Sequence, residues 1–123
     1  MEGVNFQRIE KKFNTDFEVA KRYYNIILGL NDVHVTKSEM NLIAFSAVKE
    51  TISTPSIKQE FCEQFDVPPG SIYNMICKLR KLGVLVRDND NKIRVNPAIR
   101  PDFSKGLDMV LIVKITQLQD GTT

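Results

Sequence analysis

Apolar residues recur along this chain with two periods, and each change of period marks an element. From Thr15 the spacing is helical: Phe17, Ala20, Tyr24, Ile27 and Leu28 share one face at 100° per residue. Thr15 and Glu18 stand at capping-box spacing, each able to satisfy an N–H at the helix start. The helix is expected to run to about Leu28, stopped near Gly29 and Asn31-Asp32. Val19, Tyr23, Ile26 and Leu30 widen its apolar face to roughly 200°, well beyond the ~100° stripe of a helix lying on one core. Such a helix is covered on two sides. The second cover is either the C-terminal segment or another subunit.

A second helix is expected from Thr36, with Glu39 as capping-box partner and Met40, Ile43, Ala44, Ala47 and Val48 turned inward. It fades in residues 50–53. A third starts at Thr54 with Pro55 in the first helical position, where a missing N–H costs nothing. It carries Ile57, Phe61, Cys62 and Phe65 inward and breaks in Asp66-Val67-Pro68-Pro69-Gly70. A fourth runs from about Pro69 to Leu82. Its inner stripe is Ile72, Met75, Ile76 and Leu79; Ser71, Asn74, Cys77, Lys78 and Lys81 lie opposite, and Gly83 closes it.

The period then shortens. Residues 84–87 and 92–95 are β-rich runs around Asp88-Asn89-Asp90-Asn91 and read as a hairpin. After a loop-like stretch at 97–106, the β-branched run 109–115 reads as a strand. A run this apolar needs a partner strand, because an exposed edge invites aggregation. The candidates are the N-terminal arm and a second copy of the chain. In residues 1–14, Val4, Phe6 and Arg8 alternate with polar neighbours, which fits a short strand or a frayed arm. Residues 119–123 are expected to fray.

Composition narrows the class. At 123 residues, 42% hydrophobic and 26% charged, the chain fits one folded domain. No stretch approaches the ~18–20 apolar residues of a membrane span, and the N-terminus lacks the apolar core of a signal peptide. A cytoplasmic protein with two reduced thiols, Cys62 and Cys77, is expected. The single histidine, His34, leaves little for a hydrolytic triad or a His-rich metal site. Glu60, Glu63 and Asp66 share a helix without a histidine and read as a solvated face. Cys77 beside Lys78 and Lys81 is a redox sensor or a tolerated small residue. There is no Gly-rich phosphate loop. An enzyme is not expected, and neither is a metal or cofactor. The net charge of +2 falls in the middle of the chain, where residues 54–97 hold seven Lys/Arg and five Asp/Glu; the flanking segments balance.

Helix, short turn, helix and hairpin in residues 54–96 is the order of a winged helix-turn-helix. The run SIYNMICKLRKLGVLVR (71–87) resembles the recognition helix and first wing strand of MarR-type winged-helix regulators. Ser71, Ile72, Met75-Ile76, Leu79, Gly83 and Val84–Val86 stand where that pattern has its small polar, apolar and glycine positions. KIRVNPAI (92–99), with Val35-Thr36-Lys37-Ser38-Glu39 upstream, resembles RepL-type plasmid replication proteins and small phage proteins. The implied fold is mainly α with a small β-hairpin wing, an α+β winged helix-turn-helix with extra N-terminal helices and a C-terminal strand. Its parts are an arm at 1–14, a winged-helix domain at 15–97 (helix-turn-helix 54–82, wing 84–95) and a C-terminal loop and strand at 98–123.

The implied function is binding of double-stranded DNA by a transcription or replication regulator of phage or plasmid type, as a homodimer in the cytoplasm. In such a fold Ser71, Tyr73, Asn74 and Lys78 face the major groove. Asn74 suits a bidentate contact to adenine, Lys78 and Lys81 suit phosphates, and Arg87, Lys92 and Arg94 are the wing's cations. Two features oppose this. The wing tip carries Asp88 and Asp90, and no arginine precedes Arg80 in the fourth helix. They favour an alternative: a winged-helix protein-interaction or assembly module, of a virion or replication complex, without sequence-specific DNA binding.

Overall fold

The computed structural model describes residues 4–11, 15–102 and 109–116. Its elements are β1 (Val4–Lys11), α1 (Asp16–Leu30), α2 (Lys37–Lys49), α3 (Pro55–Phe65), α4 (Pro69–Lys81), β2 (Leu85–Arg87), β3 (Ile93–Val95) and β4 (Met109–Thr116), with a 3-10 turn at Pro97–Ile99. The fold is mainly helical, with two small antiparallel sheets: β1 with β4, and β2 with β3.

Helix α2 is the axis. The spacing predicts one inward stripe, yet eight of its thirteen residues are buried, Leu42, Phe45 and Ser46 among them. The physical reason is that neighbours cover it on nearly every side. Ser46 is tolerated there because its hydroxyl donates to the Leu42 carbonyl at 2.7 Å. Its N-terminus carries the full capping box: the Glu39 N–H donates to Thr36 Oγ1 at 3.1 Å, and the Thr36 N–H donates to Glu39 Oε1 at 2.7 Å. At the other end Arg100 donates to the Ala47 carbonyl from Nε (3.1 Å) and from its terminal nitrogen (2.8 Å). That places a cation on the helix C-terminus, where the dipole favours one.

An aromatic cluster joins α1 and α3 to this axis. Phe45 lies 5.4 Å from Phe61 and 6.0 Å from Phe65, and Phe65 lies 5.3 Å from Phe17 of α1. Helix α1 begins at its expected cap, with Thr15 Oγ1 accepting from the Glu18 N–H. It runs through Gly29 to Leu30, beyond the expected stop. Val19, Ala20, Tyr24 and Leu28 are buried, while Tyr23, Ile26 and Ile27 are half-buried. Leu30, expected to widen the buried face, is 76% exposed.

The strand at 109–116 pairs with β1 over its whole length, from Val4 opposite Thr116 to Lys11 opposite Met109. Residues 4–11 of the N-terminal arm are therefore a strand, and they supply the partner the apolar run requires. The small hairpin aligns Leu85 with Val95 and Arg87 with Ile93. Ile93 also ties the hairpin to the segment between α2 and α3: its carbonyl accepts from the Ile52 N–H at 3.0 Å and from the Thr51 hydroxyl at 3.0 Å, and its N–H donates to Ser53 Oγ. Residues 51–53 thus lie along the outer edge of β3. The expected fraying at 119–123 and the loop at 103–106 lie outside the described residues.

Two backbone positions make opposite predictions. Gly83 sits at φ +79 after α4, where the left-handed backbone favours glycine, with nothing near enough for a Cβ to touch. Glu50 adopts φ 73 after α2, a left-handed backbone that is unfavourable for a residue with a Cβ. Gly83→Ala should destabilise the chain by about 1 kcal/mol and Glu50→Gly should stabilise it by a similar amount in urea unfolding. Equal effects of one sign would contradict this.

Candidate functional site

The exposed surface of α4 and the adjoining hairpin gather most of the residues singled out by the sequence. Pro69 starts the helix, and its end is a Schellman motif: the Val84 N–H donates to the Leu79 carbonyl at 3.0 Å and the Gly83 N–H to the Arg80 carbonyl at 3.1 Å. Leu79 and Val84 are both buried, which locks the exit into the hairpin. With Ile72, Ile76 and Leu79 anchored in the core, the helix cannot rotate. Ser71, Asn74 and Lys81 are exposed on its outer side. Tyr73 is also exposed, at 67%, so it is not a core residue.

Lys78 has a different setting. Its Nζ reaches Glu39 Oε1 at 2.9 Å, joining α4 to the capping box of α2. Glu39 is buried, which disfavours its charge; the Lys78 ammonium and the Thr36 N–H and hydroxyl outweigh that and hold its carboxyl below the ordinary value. Lys78 is therefore committed to the fold before it meets any partner.

The hairpin tip is built around a carboxylate. The Asn91 N–H donates to the Asp88 carbonyl at 3.0 Å and the Asp88 N–H to the Lys92 carbonyl at 2.8 Å. Asn91 closes the loop at φ 64, a conformation asparagine tolerates. Asp88 Oδ1 accepts from the Lys92 and Asp90 N–H groups at 2.9 Å each, and Oδ2 accepts from Arg94 Nε. The Lys92 N–H, with Arg94 and the Asp90 N–H, holds this carboxyl below its ordinary range. Asp88 thus serves the turn, and only Asp90 remains as an outward tip carboxylate. Arg94 is half-buried between Asp88 and the Glu50 carbonyl. Lys92 is exposed, and Arg87 is held by Asn91 Oδ1 at 2.9 Å.

Between α3, α4 and the hairpin lies a groove of about 290 Å³ floored by Ile76 and Ile93. Lys58, Arg80 and Arg87 line it together with Tyr73, Ser53 and Asn91; no lining residue is acidic. Lys58 and Arg80 are the residues that sequence reasoning missed. Arg80 was within reach, since Tyr73, Cys77 and Arg80 follow helical i, i+4, i+7 spacing. Lys58 lies on another helix, and only the tertiary fold brings it there. Cys77 also lines this groove and is half-buried rather than outermost.

The remaining candidates stay apart from this surface. Glu60, Glu63 and Asp66 are exposed on and just after α3, with Glu60 paired to Lys49 at 2.8 Å. His34 is exposed in the α1–α2 connection. Among the described residues no group of three His, Cys, Asp or Glu could hold a metal ion, and no helix is long and apolar enough to cross a membrane. No family model, curated protein or solved structure matches the chain.

The Glu39–Lys78 pair predicts a pH dependence. A lowered carboxyl value adds stability that is complete above the ordinary value of 4.5 and is lost as pH falls through the lowered one. Urea titrations from about pH 6 down to pH 3 should show wild-type stability falling, and Glu39→Gln should be less stable at neutral pH with a flatter acid limb. Lys78→Ala should cost about 1–2 kcal/mol, because it strips a buried carboxylate of its cation. A neutral effect of both substitutions would contradict this role.

Proposed function

We propose that the chain is a winged helix-turn-helix DNA-binding protein, with α4 as the helix that enters the major groove and the β2–β3 hairpin as the wing. The order α2, edge segment 51–53, α3, α4 and hairpin supports this, because the hydrogen bonds between residues 51–53 and Ile93 join the wing to the helices. The observation that carries the reading is the polar outer side of α4. Ser71, Asn74 and Lys81 project from a helix whose rotation the core fixes, beside a hairpin whose Asp88 is neutralised from within.

Residues 69–95 hold six Lys/Arg against two Asp, so the charge excess follows this surface. The arrangement supports a role for Asn74 as a base-reading amide, with Lys81, Arg87 and Lys92 meeting the backbone. Lys78 acts here by positioning α4. Arg94 acts by shaping the wing. The likeness of residues 71–87 to MarR-type regulators and of 92–99 to RepL-type proteins supports a transcription or replication role of phage or plasmid type. Exposed Leu30 and Ile112 support a homodimer, which would set two α4 helices about one DNA turn apart.

A second reading rests on a specific observation: Lys78 and Arg94 are already paired, which leaves few cations for phosphate. On that reading the domain is a protein-interaction or assembly module.

Selection of bound duplexes from a randomised pool at ~150 mM salt, where weak non-specific binding is largely screened, separates the two. The DNA reading predicts an enriched motif, palindromic for a dimer. Asn74→Ala should relax preference at one position by about 1–3 kcal/mol while leaving the others intact. No enrichment with folded protein would favour the assembly reading.

A further inference from the structure

The groove between α3, α4 and the hairpin carries charge of one sign only. Lys58, Arg80 and Arg87 come from three different elements and line one space with no carboxylate among them. Neither Lys58 nor Arg80 has an ion-pair partner among the described residues. Gathering cations without counter-charge is unfavourable, and the natural relief is an anion bound between them. Arg87 is held ready by Asn91, which accepts from it through both Oδ1 at 2.9 Å and the main-chain carbonyl at 3.3 Å. Its planar fork suits phosphate oxygens.

The other lining groups add a second chemistry. Tyr73 is two-thirds exposed at the groove wall, where its ring offers a face to a planar partner. Ser53 and Asn91 supply a hydroxyl and an amide, and Ile76 and Ile93 form an apolar floor. At about 290 Å³ the space is at the small end of ligand sites, which run ~300–1,000 Å³.

We propose that this groove is a binding site for a single nucleoside phosphate unit, with the phosphate between Lys58, Arg80 and Arg87 and the base on Tyr73. The site goes beyond the reading of duplex DNA by α4 and stands without it. Two sources share the chemistry: a free mononucleotide, or one unit of a nucleic-acid strand.

Amide chemical shifts of the full chain distinguish them during separate titrations with adenosine monophosphate, adenosine, inorganic phosphate and a four-residue single strand. A free-ligand site gives saturable shifts at Ser53, Tyr73, Arg80 and Arg87 with the monophosphate and none with adenosine. A strand site gives the same shifts with the oligonucleotide while the monophosphate is silent. In either case Arg80→Gln and Lys58→Gln, both on exposed or half-exposed positions, should each raise the dissociation constant about tenfold, equivalent to ~1.4 kcal/mol, with unchanged melting. Tyr73→Ala should weaken the nucleotide and leave inorganic phosphate unaffected. Shifts from none of the probes, or shifts that survive both charge substitutions, overturn the site. Equal binding of inorganic phosphate and the preferred nucleotide overturns the role of Tyr73.

Discussion

Helix α2 has almost no solvent face, and that constraint organises the rest of the chain. A helix with most of its residues buried needs other elements along most of its sides, and the free N–H and C=O groups at its ends need partners. Here α1 and α3 supply flanks through the Phe17, Phe45, Phe61 and Phe65 rings. The N-terminal end is closed by Thr36, Glu39 and Lys78, and the C-terminal end by Arg100. Because Lys78 belongs to α4 and Arg100 follows the hairpin, the two ends of one helix draw in the elements that carry the candidate site.

The consequence for function is a division of labour among cations that look alike in sequence. Lys78 and Lys81 are three residues apart, yet one neutralises a buried carboxylate and the other stands outward. Arg87 and Arg94 lie on neighbouring strands of the hairpin, Arg87 opposite Ile93 and Arg94 opposite Val86. Arg94 is spent on Asp88, while Arg87 turns to the groove beside α4. Substituting Lys78 would mix a stability loss with any change in binding, so Lys81 and Arg80 report more cleanly on what the surface holds.

Much of the fold was legible wherever one face contrasts with the other. The α4 stripe of Ile72, Ile76 and Leu79, the Pro55 and Pro69 starts and the Gly83 stop are local signals, and each stands where the spacing places it. The Thr36–Glu39 box is likewise local. Leu42 and Phe45 were not legible as core, because they lie beside the inward stripe and are covered only by tertiary neighbours. The arm at 4–11 stayed ambiguous because its partner strand lies about a hundred residues on, at 109–116. The site was half legible. Ser71, Asn74 and Lys81 follow from periodicity, whereas Lys58 in the groove and the Glu39–Lys78 bond depend on tertiary contacts that no spacing encodes.

On the proposed reading, α4 and the hairpin present a surface to the DNA backbone. Lys81, Arg87 and Lys92 are the cations assigned to that backbone, and no carboxylate claims them among the described residues. The most direct test is the salt dependence of affinity for a labelled duplex, followed by anisotropy from low to moderate ionic strength. Three phosphate contacts per chain predict a linear fall of log K with log salt, with a slope of about −2.7 per bound chain. A folded chain that shows no binding at low salt, or binding whose affinity is indifferent to salt, would contradict the account.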